Sequence, residues 1–212
     1  MPSVATAALS PTRLQQLKAQ PRQPGEASLF WYEGAFKSEA VKVLPGEYFV
    51  MNEEILIMTT LGSCIAACLW DRTARVGGLN HFMLPEGDDG SGRYGSFAME
   101  VLINHMMKLG ARRTSMQAKV FGGGAVIGGM SSSRVGERNT EFVLDYLKTE
   151  RIPVVSKDVL DIYPRKVCFM PVSGKAMVKR LASANVEALL EQDRAAAQRA
   201  APASSSGSVD LF

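Results

Sequence analysis

The sequence predicts an α+β fold, or a mixed α/β fold, whose sheet is substantially antiparallel. Strand-like runs outnumber helix-like runs along the 212 residues, and the helices interrupt the strands. Two pairs of strand-like runs flank short polar or glycine-containing segments, which is typical of antiparallel hairpins. The composition agrees with a folded domain, since 46% of the residues are hydrophobic.

Charge and hydropathy disfavour several classes of function. The formal net charge of +3 is small for this length, so nucleic-acid binding is a weak hypothesis. No apolar run approaches the roughly 18–20 residues that cross a bilayer, and polar side chains interrupt the N-terminus where a signal peptide would be apolar. We therefore expect a cytoplasmic protein without membrane insertion. Its three cysteines suit reduced thiols better than a disulfide framework.

The chain is expected to form one domain with two flexible ends. Residues 1–27 are rich in Pro, Ala, Gln and Ser, which predicts a flexible leader. Residues 191–212 are rich in Ala and Ser, which predicts a flexible C-terminal tail. The folded domain then spans residues 28–190, which is long enough to bury a full core.

The first half of the domain is mainly β and ends with one helix. Its predicted strands are β-rich runs bounded by turn residues; in chain order they are Val41–Leu44, Tyr48–Met51, Ile55–Thr60 and a hairpin with arms at 64–70 and 76–84. The polar segment Asp71–Ala74 separates the arms of the hairpin. Ser96 is expected to cap a helix that runs to Leu109 and stops at Gly110.

The second half alternates strands with one further helix. The predicted strands are Met116–Phe121, Ile152–Val155 and a hairpin with arms at 166–172 and 176–181 around Ser173-Gly174-Lys175. Asn139 is expected to cap the second helix, which runs to Thr149 and carries one apolar stripe. Gly122-Gly-Gly lacks a following Gly-Lys-Ser/Thr, so a tight turn or close backbone packing accounts for it better than a phosphate loop.

The first hairpin places a thiol and an imidazole close together if its register is right. With Arg72-Thr73 as a two-residue loop, Asp71 opposes Ala74 and Cys64 opposes His81. Directly opposed residues share a face, with Cβ atoms about 4.5–5.5 Å apart. A slip of one residue would send the two side chains to opposite faces. The inference therefore depends on the turn.

A paired Cys64 and His81 would suit nucleophilic attack on a carboxamide. The imidazole takes the proton of the thiol, and N–H groups near Gly62-Ser63-Cys64 are candidates to stabilise the oxyanion. A third group usually orients the histidine. Thr59 and Thr60 lie just upstream, and Thr59 is slightly preferred, whereas strand alternation sends the neighbouring Asn80 to the other face.

The spacing alone also fits a pair of ordinary core residues, which is the more frequent situation. Cys68 and Cys168 lie among apolar neighbours and are expected to fill the core. Cys64, Cys68 and His81 would make three ligands of a metal site, but no fourth ligand with short paired spacing is evident, so metal binding is disfavoured. His105 is expected on the half-exposed side of its helix.

Several motifs of the chain resemble the CheD family of chemoreceptor glutamine deamidases. The two most specific are Leu61-Gly-Ser-Cys-Ile-Ala-Ala-Cys-Leu-Trp-Asp71 and Gly77-Gly-Leu-Asn-His-Phe-Met-Leu-Pro85. Further matches follow in order, namely Arg93-Tyr94, Lys119-Val-Phe-Gly-Gly-Gly-Ala125, Val135-Gly-Glu-Arg-Asn139 and the hairpin from Arg165 to Arg180. The resemblance extends from near Glu39 to Leu181.

The resemblance implies a cytoplasmic hydrolase that converts selected glutamines of methyl-accepting chemotaxis receptors to glutamate and releases ammonia. Carried over by position, Cys64 is the nucleophile, His81 is the general base, and Thr59 rather than Thr60 is the third catalytic residue. The family is similar in fold to bacterial toxin deamidases, which hold a Cys-His pair on a mixed α/β sandwich. No metal or organic cofactor is needed.

Two alternatives stay open at the level of sequence. CheD proteins can pair with CheC-type phosphatases, so the chain could be an adaptor of the adaptation system with secondary or lost catalysis. The intact Cys64 and His81 argue against lost catalysis. Methylesterase action on receptor glutamyl esters would use the same acyl chemistry. Release of ammonia or of methanol would separate the enzymes from a binder.

Overall fold

Ten strands form two five-stranded sheets in the computed structural model, which describes residues 10–85, 91–126 and 130–182. The strands are β1 (Leu29–Glu33), β2 (Ser38–Lys42), β3 (Tyr48–Met51), β4 (Leu56–Leu61), β5 (Ile65–Asp71), β6 (Val76–Phe82), β7 (Met116–Gly122), β8 (Val154–Val159), β9 (Arg165–Phe169) and β10 (Ala176–Arg180). The helices are α1 (Arg13–Ala19), α2 (Gly95–Lys108) and α3 (Met130–Thr149). The predicted α+β class is confirmed.

Both sheets are mixed but mainly antiparallel. The first sheet has the order β1-β2-β4-β9-β10, and only its β2–β4 pair is parallel. The second sheet has the order β3-β6-β5-β7-β8, and only its β7–β8 pair is parallel. The predicted excess of antiparallel pairing is therefore present in each sheet.

The central strand β5 shows how the layers are stacked. All seven of its residues are buried, so neither of its faces meets solvent. Ile65, Ala67 and Leu69 pack in one cluster with apolar residues of α2 and α3. Ala66, Cys68 and Trp70 pack in a second cluster with residues of the first sheet. Helices α2 and α3 therefore cover one face of the second sheet, and the first sheet covers the other.

The N-terminal segment contains a short packed helix where a flexible leader is expected. Helix α1 begins at a capping box formed by Thr12 and Gln15, and its Leu17 is buried. The Arg22 guanidinium lies 4.6 Å from the ring centroid of Phe30 on β1. The described part of the leader is thus attached to the first sheet. Residues 1–9 and the predicted tail 191–212 lie outside the described residues, and the division of the chain at residue 28 stays a prediction.

Helix α3 begins nine residues before the predicted N-cap at Asn139, so that assignment is wrong. Gly136 argues for a loop, since glycine weakens a helix interior. In the fold, however, a Cβ at Gly136 would lie 2.3 Å from the Gly123 carbonyl oxygen, so only glycine permits the contact. Helix α2 ends one residue before its predicted end at Leu109 and begins two residues earlier than predicted, since Tyr94 rather than Ser96 is its N-cap. No helix in the described ranges is long and apolar enough to cross a membrane.

The β5–β6 hairpin forms as predicted, but its register differs by two residues. Asp71 pairs with Val76 and Ala66 with His81, so the turn has four residues rather than two. Arg75 closes the turn with a left-handed φ of 56°, and the Asp71 carboxylate accepts hydrogen bonds from the backbone of the turn. Direct opposition of Cys64 and His81 is therefore wrong. Because the difference is an even number of residues, their shared face is retained.

Candidate active site

Thr59 and His81 meet between the two sheets. Thr59 lies on β4 of the first sheet, and His81 lies on β6 of the second sheet. The Thr59 Oγ1 atom is 2.9 Å from His81 Nδ1 and 2.8 Å from the carbonyl oxygen of Val43. Both side chains are 1% exposed. Thr60, the alternative third residue, points to the opposite face of β4 and is half-buried.

These contacts determine which nitrogen of the imidazole carries the proton. A carbonyl oxygen can only accept, so the single hydroxyl hydrogen of Thr59 is donated to Val43. Thr59 Oγ1 must then accept from His81, which places the hydrogen of the neutral ring on Nδ1. Nε2 is left with its lone pair, and it is buried without a hydrogen-bond partner among the described residues. A lone pair in that position is what a general base requires.

Burial keeps this imidazole neutral. Desolvation lowers the pKa of His81 to about 3, opposed by a hydrogen bond to the Val43 carbonyl and assisted by the positive charge of Lys42. At neutral pH the ring therefore has no charge, and its Nε2 is unprotonated. The resting state of the site is a neutral imidazole rather than an imidazolium.

Cys64 lies one residue before β5, on the same face as His81. It is 2% exposed and belongs to the apolar cluster between the sheets. In the observed register Ala66 is the direct partner of His81, so Cys64 and Cys68, two residues to either side of Ala66, are its two diagonal neighbours. Diagonal positions in an antiparallel pair are about 7–8 Å apart and within reach of an aromatic side chain. Of the three residues that the sequence predicts, Thr59 and His81 are in direct hydrogen-bond contact, and Cys64 lies on the face of the sheet that His81 shares.

The backbone around Cys64 is held by three hydrogen bonds to consecutive carbonyls. Gly124 N–H donates to Gly62 O at 2.9 Å, and Gly123 N–H donates to Cys64 O at 2.8 Å. Asn139 Nδ2 donates to Ser63 O at 3.2 Å. The Gly62–Cys64 segment is therefore held by two different elements, the glycine segment after β7 and helix α3.

Sequence reasoning places Asn139 at a helix end and misses its role beside Cys64. It is fully buried, and its Nδ2 also donates to the carbonyl of Met83 at 2.8 Å. The available signal was Val135-Gly-Glu-Arg-Asn139, one of the motifs that carry the family resemblance. The glycine segment does pack closely, as expected: a Cβ at Gly122 would lie 2.1 Å from the Cys64 carbonyl oxygen.

The other candidate residues lie apart from this pair or are inert. Cys68 shares the face of Cys64 but is fully buried, and burial raises the pKa of its thiol far above the usual range. Cys168 packs in a separate cluster of the first sheet, where burial also raises the pKa of its thiol. His105 lies on α2 with its ring against Tyr48. Within the described ranges, no three His, Cys, Asp or Glu side chains are grouped to hold a metal ion.

Comparison with known proteins identifies close relatives of the chain. Residues 83–180 match the family model described as CheD chemotactic sensory transduction. A protein of Albidiferax ferrireducens named "Probable chemoreceptor glutamine deamidase CheD 1" is 65% identical over 204 residues, 95% of this chain and 87% of that protein. A protein of the same name from Dechloromonas aromatica is 53% identical, over 86% of this chain and 93% of that protein.

One solved structure is a much weaker match. The crystal structure of the Bacillus licheniformis hypothetical protein YfiH aligns with a TM-score of 0.34 and 8% sequence identity. The alignment covers 54% of this chain and 49% of that one. A likeness of this degree carries no argument about the site.

Proposed function

The chain belongs to the CheD family, and we propose that it hydrolyses glutamine side chains of chemotaxis receptors in the cytoplasm, with Cys64 as the nucleophile. The observation that carries this proposal is the Thr59–His81 hydrogen bond, because it leaves the Nε2 lone pair of a neutral imidazole on the face that Cys64 shares. A thiol beside such a base is the arrangement that activates cysteine for attack on an acyl carbon.

In the first step His81 Nε2 takes the proton of the Cys64 thiol as Sγ attacks the glutamine Cδ. The new S–C bond forms while one electron pair of the carbonyl moves onto its oxygen. The resulting oxyanion needs hydrogen-bond donors, for which backbone N–H groups of the Gly62-Ser63-Cys64 segment are the candidates. His81 is now an imidazolium, and its Nδ1–H continues to donate to Thr59 Oγ1.

The tetrahedral intermediate then collapses with loss of ammonia. The C–N bond breaks as the nitrogen takes the proton from His81 Nε2, and a thioester joins Cys64 to the substrate. Neutral His81 next removes a proton from water, and the hydroxide equivalent attacks the thioester carbon. The S–C bond breaks, the thiolate regains its proton, and glutamate is the product.

The test is mass spectrometry of a receptor cytoplasmic fragment incubated with the purified chain. The wild-type protein should give the mass gain of amide-to-acid conversion at specific glutamines, with release of ammonia. Cys64→Ala should give no conversion, whereas Cys68→Ala serves as the matched control, because that thiol lies on the same strand face and in the same apolar cluster, and burial raises its pKa. Conversion by Cys64→Ala at the wild-type rate would refute the assignment of the nucleophile.

The same assay addresses the alternatives that the resemblance leaves open. Methanol released from methylated receptor would show esterase action by the same acyl chemistry. Retained receptor binding with neither product would favour an adaptor role. The partnership with a CheC-type phosphatase and the likeness in fold to toxin deamidases stay predictions.

A further inference from the structure

We propose that Asn139 is a positioning residue that orients the Ser63–Cys64 peptide so that the Cys64 N–H faces the developing oxyanion. The inference rests on the proposed function, because it assigns this residue a part in the same reaction. The orientation of this peptide affects the transition state, in which the oxyanion forms, and leaves the thiol and the imidazole unchanged.

The orientation follows from the planarity of the peptide unit. Ser63 O and Cys64 N–H belong to one trans peptide, so they point in opposite directions across the C–N bond. Asn139 Nδ2 holds Ser63 O at 3.2 Å and thereby directs the Cys64 N–H away from α3. Without that donor, the peptide is free to rotate and to present its carbonyl oxygen to the substrate. A carbonyl oxygen in that place would repel the oxyanion instead of stabilising it.

The neighbouring bonds limit the movement to this one peptide. Gly62 O and Cys64 O, on either side of Ser63, are held by the N–H groups of Gly124 and Gly123. These two bonds do not involve Asn139, so they remain when its side chain is removed. Ser63 O is thus the one carbonyl of the three whose orientation depends on a side chain.

Helix α3 gives Asn139 a rigid base. Gly136, one turn earlier, approaches Gly123 so closely that a Cβ there would lie 2.3 Å from the carbonyl oxygen. Both N–H groups of the Asn139 amide have acceptors, Ser63 O and Met83 O, and the latter lies two residues after His81. The amide therefore connects the nucleophile segment to the histidine strand.

The oxygen of the Asn139 amide, in contrast to its nitrogen, makes no hydrogen bond among the described residues, so Asn139 acts on the site through its N–H donors. Asn139 Oδ1 is buried without a hydrogen-bond partner among the described residues. Leaving a buried carbonyl oxygen unpaired is unfavourable, and such groups in native structures are rare. An exchange of Oδ1 and Nδ2 would place the oxygen against two carbonyl oxygens, so the assignment of the amide is fixed by its surroundings.

The test compares deamidation with alkylation of Cys64 in the full-length chain. Asn139→Ala should lower kcat about 10- to 100-fold, since loss of an oxyanion donor costs about 100- to 1000-fold and a mobile peptide still reaches the productive orientation part of the time. KM should stay within about twofold, because the ground state does not use the oxyanion contact. Alkylation of Cys64 by iodoacetamide, followed by peptide mass spectrometry, forms no oxyanion and should stay within about threefold of wild type.

A second variant and a matched control complete the test. Asn139→Asp keeps the volume but replaces the NH2 group, with both of its N–H donors, by one oxygen of an ionised carboxylate that only accepts, so its kcat should fall at least as far as that of Asn139→Ala. Asn80→Ala removes another fully buried asparagine, whose amide bonds Ala67 N–H and Met99 Sδ on the helix-facing side of β6. That variant should lower the melting temperature and leave kcat within about twofold.

Two results would overturn the inference. A wild-type kcat in both Asn139 variants would show that the peptide needs no side-chain anchor. A parallel fall of kcat and of the Cys64 alkylation rate would show that the whole site had collapsed, which is a structural role only. If the wild-type chain leaves every receptor glutamine unchanged, the proposed function fails instead, and this outcome is distinct because it appears before any Asn139 variant is compared.

Discussion

Replacing Thr59 with valine removes the hydroxyl that lies between His81 and Val43 while keeping nearly the same shape. The Nδ1–H of His81 then loses the Thr59 acceptor at 2.9 Å, and the Val43 carbonyl loses its donor at 2.8 Å. The Val43 carbonyl remains as an acceptor for the ring, but without the Thr59 oxygen the hydrogen is held less firmly on Nδ1, and the tautomer with its hydrogen on Nε2 becomes more populated. An Nε2–H ring cannot act as the base toward Cys64.

The size of the effect follows from the charge that His81 acquires during the reaction. A hydrogen bond to a charged group contributes about 1.5–3 kcal/mol, and about 1.4 kcal/mol corresponds to a tenfold change in rate. Loss of the Thr59 acceptor should therefore lower kcat about 10- to 150-fold. The unpaired buried groups should also lower the free energy of unfolding by about 1–3 kcal/mol.

The assay is the rate of glutamine conversion in a receptor fragment, measured beside urea unfolding for each variant. Thr59→Ser restores the oxygen and should recover most of kcat. Thr60→Val removes a hydroxyl one residue later on the opposite face of β4, and it should leave kcat unchanged. Equal losses in Thr59→Val and Thr60→Val, or no loss in Thr59→Val, would refute the role assigned to the Thr59 hydroxyl.

Three further outcomes follow from burial and backbone geometry. The folded pKa of His81, about 3, lies below the unfolded value of 6.5, so acid protonates only the unfolded chain and stability falls as the pH drops below 6.5. Between pH 7 and 5 urea unfolding should show a loss of about 2 kcal/mol from this group, absent in His81→Asn. Gly122→Ala should abolish deamidation, because its Cβ would displace the Cys64 carbonyl. Gly110 is the matched control: its φ is also positive, but a Cβ there would meet nothing within 4 Å, so Gly110→Ala should lower only the melting temperature. Cys68→Ala should keep full deamidation while losing about 1–2 kcal/mol of unfolding free energy to a small core cavity.

The strands of the β5–β6 hairpin could be predicted because their residue types and bounding turns are distinctive. The register could not, since Asp71-Arg-Thr-Ala74 contains no Asn-Gly pair that selects a two-residue loop. Arg75 takes the left-handed conformation that glycine or asparagine normally supplies, so the residue type at this position does not predict the longer turn. The prediction that Cys64 and His81 share a face remains valid only because the predicted and observed registers differ by an even number of residues.

Other misses have equally local causes. Strand β1 is not among the predicted strands: it lies at the edge of a sheet, and its five residues follow no regular alternation of buried and exposed positions. The sequence predicts no helix before Asn139, whereas α3 begins at Met130 and includes Gly136. The reason for that glycine is its contact with Gly123, which comes from a different part of the chain. Local patterns cannot report a contact of this kind.

The contact of Thr59 with His81 could not be predicted from the β5–β6 hairpin. Cys64 and His81 belong to one sheet, so their relation is a matter of strand pairing within a continuous stretch of chain. Thr59 belongs to the other sheet, and its hydrogen bond to His81 exists only because the two sheets pack face to face. The orientation of the base therefore depends on the apolar layer between the sheets, and changes in that layer should alter kcat through the imidazole before they unfold the protein.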